Sequence, residues 1–334
     1  MARQWTIRDF TPADYDGYTA VHNACYPTYL QAASDIARWD SLREPKIRWR
    51  RWVGEAEGRV VAWASYANSS HAYHPRKFWL ELGVHPDWRR QGLGAALFDT
   101  VIAAVGAFDP IVLRSEVRED NLGGRAFAEA RGFGLDYREQ ESRLDIQAFQ
   151  PEHFAADLAR TAAAGIAIKS YPELAADPAR DEKYFALEQL LLPDVPSSDP
   201  FTPTDFAVWR KRFLESPNFL PALNMIAVRR EDEAYVGLSN LWKEETPGRV
   251  ETGLTAVRRD CRQLGVATAL KVSALAAAKA AGYAATITWN AETNKGMLGI
   301  NYRLGFVPQP AWWMIEKVLD AAALAASAGE EARA

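Results

Sequence analysis

Two loops carry the residue types and spacing best suited to chemistry. The first reads Val84-His-Pro-Asp-Trp-Arg-Arg-Gln-Gly-Leu-Gly94, the second Val257-Arg-Arg-Asp-Cys-Arg-Gln-Leu-Gly-Val-Ala267. Each follows a strand-like stretch and opens a helix-like one. Gly92 and Gly94 have no Cβ, so the backbone there can come close to a ligand. The first amides of a helix lack intrahelical acceptors, and the helix dipole puts positive potential over them, so such a loop suits an anion. Arg89 and Arg90 in the first loop and Arg262 in the second add charge. A phosphate or pyrophosphate is the natural guest, although the same glycines would also serve a plain strand-to-helix turn. Neither loop is a Walker loop, because no Gly-Lys-Ser/Thr follows, and neither has the three spaced glycines of a dinucleotide fingerprint.

The two loops are part of a repeat. At an offset of 173 residues Val84 meets Val257, Asp87 meets Asp260, Arg89 meets Arg262 and Gly92 meets Gly265. The offset holds downstream without a gap: Asn121 meets Asn294, and Gly132-Phe133 meets Gly305-Phe306. The elements that must position the loops follow the same order twice. In the first half, residues 6–8 read as a strand, 13–24 as a helix, 52–55 and 60–66 as a hairpin and 78–84 as a strand. A helix over 92–106 puts Leu93, Ala96, Leu97, Val101 and Ala104 on one face. A strand over 111–117, a helix over 121–130 and two closing strands complete it. In the second half the hairpin is 223–229 with 235–241, followed by a strand 250–257, a helix 265–281, a strand 284–289 and a helix 294–304. The seam falls between 145 and 165, where 151–164 reads as a connecting helix stopped by Gly165. The expectation is α+β, with a mixed, mainly antiparallel sheet flanked by helices in each half. The expected domains are 1–148 and 149–325, with a flexible tail over 326–334.

Composition limits the function. The chain has 334 residues, 48% hydrophobic and 25% charged, with a net charge of -4. A general nucleic-acid binder would need a basic footprint. No apolar run approaches the roughly 20 residues of a membrane span, and the start, Met1-Ala-Arg-Gln-Trp, lacks the apolar core of a signal peptide. Cys25 and Cys261 read as free thiols of a reducing cytoplasm. The five His are scattered without metal-ligand spacing, so no metal is expected. Most of the twelve Trp are expected in cores.

Arg89-x-x-Gly92-x-Gly94 and Arg262-x-x-Gly265-x-Ala267, each followed by its Asn and Gly-Phe, resemble the acyl-CoA pyrophosphate loop and second signature of the GNAT N-acetyltransferase superfamily. The resemblance covers nearly the whole chain and implies two tandem GNAT folds. It further implies that backbone amides from Arg89, Arg90, Gln91, Gly92, Leu93 and Gly94, and from Arg262 through Gly265, Val266 and Ala267, hold the pyrophosphate of acetyl-CoA. Strand ends at Leu82 and Val84, and at Val257, would pair with the pantetheine arm. Asn121 and Asn294 would touch it from the far side, or serve only as helix N-caps.

The implied reaction is direct attack of a small-molecule amine on the acetyl thioester, with a carboxylate taking the proton. Three carboxylates are candidates. Glu116, in Glu116-Val-Arg-Glu-Asp-Asn121, has the spacing of the base in ribosomal-protein N-terminal acetyltransferases. Glu81 lies eleven residues before Gly92. Glu251 lies fourteen before Gly265, as in histone-type enzymes. The odd difference puts Glu81 and Glu251 on opposite strand faces unless a bulge intervenes. Where many members carry an acidic Tyr, this chain has Ala128 and Asn301. That departure keeps a non-catalytic acyl-CoA sensor open beside the enzyme, and Glu116 keeps a peptide N-terminal acetyltransferase open. The resemblance implies a monomer acting as an internal pseudo-dimer, or a homodimer, with no nucleic-acid or membrane partner. The first half is favoured for the cofactor.

Overall fold

The computed structural model describes residues 4–331. The first elements are strand β1 (Thr6–Asp9), helices α1 (Tyr15–Cys25) and α2 (Ala33–Ser41), strands β2 (Trp49–Ala56), β3 (Arg59–Ala67) and β4 (Lys77–Val84), helix α3 (Leu93–Gly106), strand β5 (Val112–Arg118), helix α4 (Leu122–Glu129) and strand β6 (Gly134–Asp145). A second series follows: α5 (Ala155–Ala163), β7 (Ile166–Ser170), α6 (Arg180–Leu191), α7 (Phe206–Arg212), β8 (Phe219–Arg229), β9 (Tyr235–Lys243), β10 (Arg249–Val257), α8 (Val266–Ala280), β11 (Ala285–Ala291), α9 (Lys295–Leu304), β12 (Val307–Pro308), β13 (Trp312–Val318) and α10 (Ala321–Glu331). Helices α2, α6 and α7 lie where no periodicity was read. Helix α2 buries only Ile36 and α7 only Trp209, too few to announce a face, whereas α6 buries Tyr184, Leu187 and Leu191.

The chain divides into two units. The first holds residues up to Arg138, Ser198–Thr202 and residues from Trp312 onward; the second holds Glu139–Ser197 and Pro203–Ala311. In the first unit the strand order is β1-β2-β3-β4-β5-β13, antiparallel except for the parallel pair β4/β5. In the second it is β7-β8-β9-β10-β11-β6, antiparallel except for β10/β11, with β12 added on β6.

These units differ from the consecutive spans 1–148 and 149–325 by one exchanged strand each. β13 pairs β5 with Val112 opposite Val318, and β6 pairs β11 with Ala285 opposite Asp145. Those two pairings are the same under the 173-residue offset, so each copy's closing strand completes the other unit. The second closing strand expected after residue 130 therefore comes from the chain's end. The tail expected from residue 326 is helical as far as Glu331; residues 332–334 lie outside the described residues.

Burial follows the strand alternation. In the first unit Phe78, Leu80, Leu113, Val117 and Ile315 face helix α3, whose Leu93, Leu97, Val101 and Val105 recur every four residues and are buried. The opposite face of that sheet carries Trp63 against Tyr18 and Val21 of α1. No helix among the described residues is long and apolar enough to cross a membrane.

Candidate functional site

The two Gly loops have the same backbone. Arg90 and Gly92 have φ of 62° and 83°, and Gln263 and Gly265 have φ of 64° and 83°. A left-handed Arg and a left-handed Gln are each uncommon, so their recurrence at the 173-residue offset means that both loops are held in one defined shape. In each, the helical ladder begins late: Ala96 N–H donates to Gly92 C=O, and Ala269 N–H to Gly265 C=O, both at 3.0 Å. The amides before them form the open first turn.

The loop arginines are also posed alike. Arg89 Nε donates to Val84 C=O (3.0 Å) and Arg262 Nε to Val257 C=O (3.1 Å). Their outer nitrogens differ. Arg262 Nη2 is ion-paired to Asp194, which also takes Arg259 Nη2 at 2.5 Å. Around the same loop Thr161 Oγ1 donates to Leu264 C=O (3.3 Å), and a Cβ at Gly265 would stand 2.8 Å from Arg160 Nη2. Among the described residues no carboxylate pairs with Arg89 or Arg90. There Trp5 Nε1 donates to Gln91 C=O (3.3 Å), and nothing polar stands over Gly92.

Strands β4 and β5 run parallel only through Lys77/Val112, Phe78/Leu113 and Trp79/Arg114. Beyond that level they part. Leu80 to Val84 pair with β3 alone, and their other edge is open. Continuing the register by two residues brings Glu81 level with Glu116, one on each side of the opening and on the same face. Both are exposed. Glu81 accepts from Ser65 Oγ of β3 at 3.2 Å. A series of aromatic rings runs from β3 past the end of α1 to β13: Tyr18 lies 4.8 Å from Trp63, His22 5.2 Å from Tyr26, Tyr26 6.0 Å from Trp312 and Tyr29 5.5 Å from Trp312. Burial, then the charge of Glu116 and that of Glu81, hold the Tyr26 phenol well above its ordinary range. Burial and the charge of Glu81 do the same to Tyr18. The two carboxylates, Tyr18 and Tyr26 therefore share one electrostatic environment.

The second unit is built differently at these positions. Trp289 stands at the offset of Glu116, and Leu254 at that of Glu81. Strand β10 carries a bulge between Thr252 and Thr255. The bulge adds one residue, so Glu251, opposite Trp242, matches Trp79, opposite Ala67. Glu251 thus falls on the same face as Glu81 would, two residues back; the inserted residue is the bulge on which the opposite-face expectation depended. Burial, then the charge of Glu244 against that of Arg249, push Glu251 up to about 7. Burial pushes Glu188 of α6 up to about 7 as well. Unfolded, both would titrate near 4.5, so between those values the folded state binds more protons than the unfolded one. Stability from these two groups is then full below about pH 4.5 and is lost as pH rises to about 7, by ~2–3 kcal/mol each. A Glu188→Gln, Glu251→Gln double variant is expected to flatten that slope in denaturant unfolding measured from pH 5 to 8.

Residues 12–133 match the model of the Acetyltransferase (GNAT) family. Across the whole length, the chain is similar to the solved GCN5-related N-acetyltransferase from Sphaerobacter thermophilus (18% identity, 95% of this chain and 96% of that one, TM-score 0.68). It is also similar to a tandem GNAT protein from the clavulanic acid biosynthesis pathway (19% identity, 94% and 98%, TM-score 0.69). This is a tandem GNAT-fold protein. A GCN5-related glucosamine N-acetyltransferase region of a fungal multi-domain enzyme shares the fold at 13% identity, over 95% of this chain and 38% of that one (TM-score 0.70). At these identities the likeness is one of fold. No curated protein sequence matches the chain.

Within the tandem GNAT fold, the residues singled out from sequence separate into groups. Glu81 and Glu116 are brought together; Glu251 lies in the other unit. Leu82 and Val84 stand on the open edge of β4. Leu93 and Val266 are core residues, 1% and 2% exposed, so only their amides face the loop. Asn121 and Asn294 both cap: their Oδ1 atoms accept from Gly124 N–H (3.0 Å) and Met297 N–H (3.2 Å). At the two positions lacking Tyr, Ala128 is half-buried, and Asn301 is fully buried with its Nδ2 donating to Asn290 Oδ1 at 2.7 Å. The aromatic wall of α1, Trp312, and Asp194 were not read from the sequence. A helical spacing of Tyr18, His22 and Tyr26 was available as a signal; Trp312 was not, because it reaches the site only through the exchanged strand.

Proposed function

We propose that the protein is an acetyl-CoA-dependent N-acetyltransferase for the amine of a small molecule, with its working site in the first unit. The observation that supports this most is the contrast between two loops of one shape. Among the described residues no carboxylate pairs with Arg89, whereas the chain's own Asp194 pairs with Arg262 Nη2. On this reading the pyrophosphate rests on the amides from Arg89 to Gly94, with Arg89 and Arg90 adding charge. The pantetheine arm runs along the open edge of β4 at Leu82 and Val84, and Asn121 lies beside it. The acetyl thioester then reaches the opening between β4 and β5. The acceptor ammonium gives a proton to Glu116, its lone pair attacks the carbonyl carbon, and the tetrahedral intermediate expels CoA thiolate, which takes the remaining extra proton from nitrogen as the neutral amide forms. The second unit serves as the structural partner. The same reading places the protein in the cytoplasm, where acetyl-CoA is available and Cys25 and Cys261 stay free thiols.

Calorimetry with acetyl-CoA tests it. One site per chain is expected. Arg89→Ala should weaken binding about 10- to 100-fold, the cost of one charge-assisted contact, and Arg262→Ala should leave it unchanged. No binding by the intact protein would overturn the proposal. Ala128 and Asn301 offer no hydroxyl for the leaving thiolate, which favours a non-catalytic acyl-CoA sensor as a second reading. Acetyl-CoA binding without amine-stimulated CoA release, across small amines and peptides, would establish it.

A further inference from the structure

We infer that the Tyr26 hydroxyl donates a hydrogen bond to the carbonyl oxygen of the acetyl thioester, which makes Tyr26 a further catalytic residue of the first unit. The inference rests on the N-acetyltransferase reading and adds one residue to its site.

The local sequence places this residue. Helix α1 stops before Tyr26, because Pro27 has no N–H to extend the ladder and drives the residue before it out of the helical region. Tyr26 accordingly has φ -131° and ψ 68°. Its C=O accepts from Tyr29 N–H at 2.9 Å, so Tyr26-Pro-Thr-Tyr29 closes as a turn with Pro27 at its second position. Both ends of the turn are anchored. Cys25 Sγ donates to Val84 C=O at 3.3 Å, the carbonyl that also takes Arg89 Nε. The Tyr29 hydroxyl accepts from Arg118 Nη1 at the end of β5. Continuing the register of Trp79/Arg114 by four residues puts Gly83 level with Arg118. The turn therefore crosses the opening between β4 and β5 from one lip to the other.

The Tyr26 ring is held within that span. It lies 5.2 Å from His22 of α1 on one side and 6.0 Å from Trp312 of β13 on the other. Its hydroxyl makes no hydrogen bond among the described residues. A phenol this far buried ordinarily finds a partner, so the ring is fixed by packing while its polar end is unused. Groups on both lips act on it. The charges of Glu116 on β5 and of Glu81 on β4 favour the protonated phenol, and that of Arg89 opposes them. With burial the larger cause, the proton stays on the oxygen near neutral pH. The opening is therefore spanned by a hydroxyl that can donate and does not ionise.

The reaction calls for such a donor at one atom. A pantetheine arm along Leu82 and Val84 brings the thioester under the turn, since Val84 is the lip that Cys25 holds. As the amine nitrogen bonds to the carbonyl carbon, one C=O electron pair moves onto oxygen. Glu81 and Glu116 flank the opening, so this oxyanion forms in a negative field and depends on a donor to offset it. A neutral hydroxyl stabilises the charge without giving up its proton. When the C=O bond re-forms, the C–S bond breaks and its pair leaves on sulfur.

Tyr26→Phe tests this, with S-ethyl-CoA, a thioether that lacks the carbonyl, as a second probe. The variant keeps the ring between His22 and Trp312, and the hydroxyl holds nothing of the chain, so the melting temperature should not fall. With acetyl-CoA and an accepted amine, kcat is expected to drop by about 10- to 100-fold, approaching the cost of removing one oxyanion donor. In calorimetry acetyl-CoA should bind several-fold more weakly, and S-ethyl-CoA as it does to the unaltered protein. A purely structural role would instead lower both affinities together. An undiminished kcat, or equal losses of affinity for the two compounds, would overturn the inference and leave the acetyltransferase reading standing. Failure of the unaltered protein to bind either compound, or to release CoA with any amine, would remove that reading and the inference with it.

Discussion

Glu116→Gln is expected to lower kcat by about 10²- to 10⁴-fold, the range for removal of a positioned general base, while acetyl-CoA affinity stays close to that of the unaltered protein. The amide keeps the size and shape of the carboxylate but cannot take a proton. Glu116 is exposed, on a strand already fixed by pairing with β13 at Met314, so little stability should be lost and the effect should read as chemistry. The informative comparison is Glu251→Gln. Glu251 is held near neutrality by burial, at about 7, which is the value that suits a general base. On titration alone it would be the better candidate. It sits in the unit whose loop arginine is already paired, and its neighbours across the sheet are Trp242 and Ile287. Steady-state rates should therefore fall in Glu116→Gln and hold in Glu251→Gln. The reverse pattern would move the working site to the second unit.

A chain ending at Ala311 is expected to lose the fold of the first unit while the second stays intact. Deleting the last strand strips β5 of its antiparallel neighbour along seven residues, Val112 to Arg118, and leaves it paired with β4 only at Val112, Leu113 and Arg114. It removes Ile315 and its neighbour Trp313 from the core under α3, and Glu316 from Arg114. Loss of one large buried side chain costs about 2–5 kcal/mol, and several lost together exceed the ~5–15 kcal/mol that holds a typical domain. The second unit keeps its own closing strand, β6, which comes from the first half of the sequence. Limited proteolysis should cut within residues 4–133 and spare 139–304. Equal protection of both units in the shortened chain would show that β13 is dispensable.

Much of the fold was legible because it rests on local rules. The loop shape follows from Gly92 and Gly265 at their left-handed positions, and the helices after them from apolar residues spaced by four. The doubled architecture followed from one constant offset. Helices α2 and α7 each bury a single residue and gain their order from neighbours, whereas α6 carries a helical spacing at Tyr184, Leu187 and Leu191 that was legible. Which face Glu251 shares with Glu81 turned on whether a bulge intervened, and the one-residue bulge in β10 leaves no mark in residue types.

By itself, the sequence determined that the chain is α+β, that it carries one unit twice, and that each copy presents a Gly-containing loop between a strand and a helix. Tertiary structure alone decided which strands close which unit, since Val112–Val318 and Ala285–Asp145 are equivalent pairings between which nothing in the chain's local preferences chooses. It also decided that the second loop's arginine meets Asp194 and the first loop's does not, and that Asp199 lies against Lys77 and Arg114. Ion pairs between residues more than sixty positions apart depend on where distant segments come to lie, and spacing along the chain does not encode that distance.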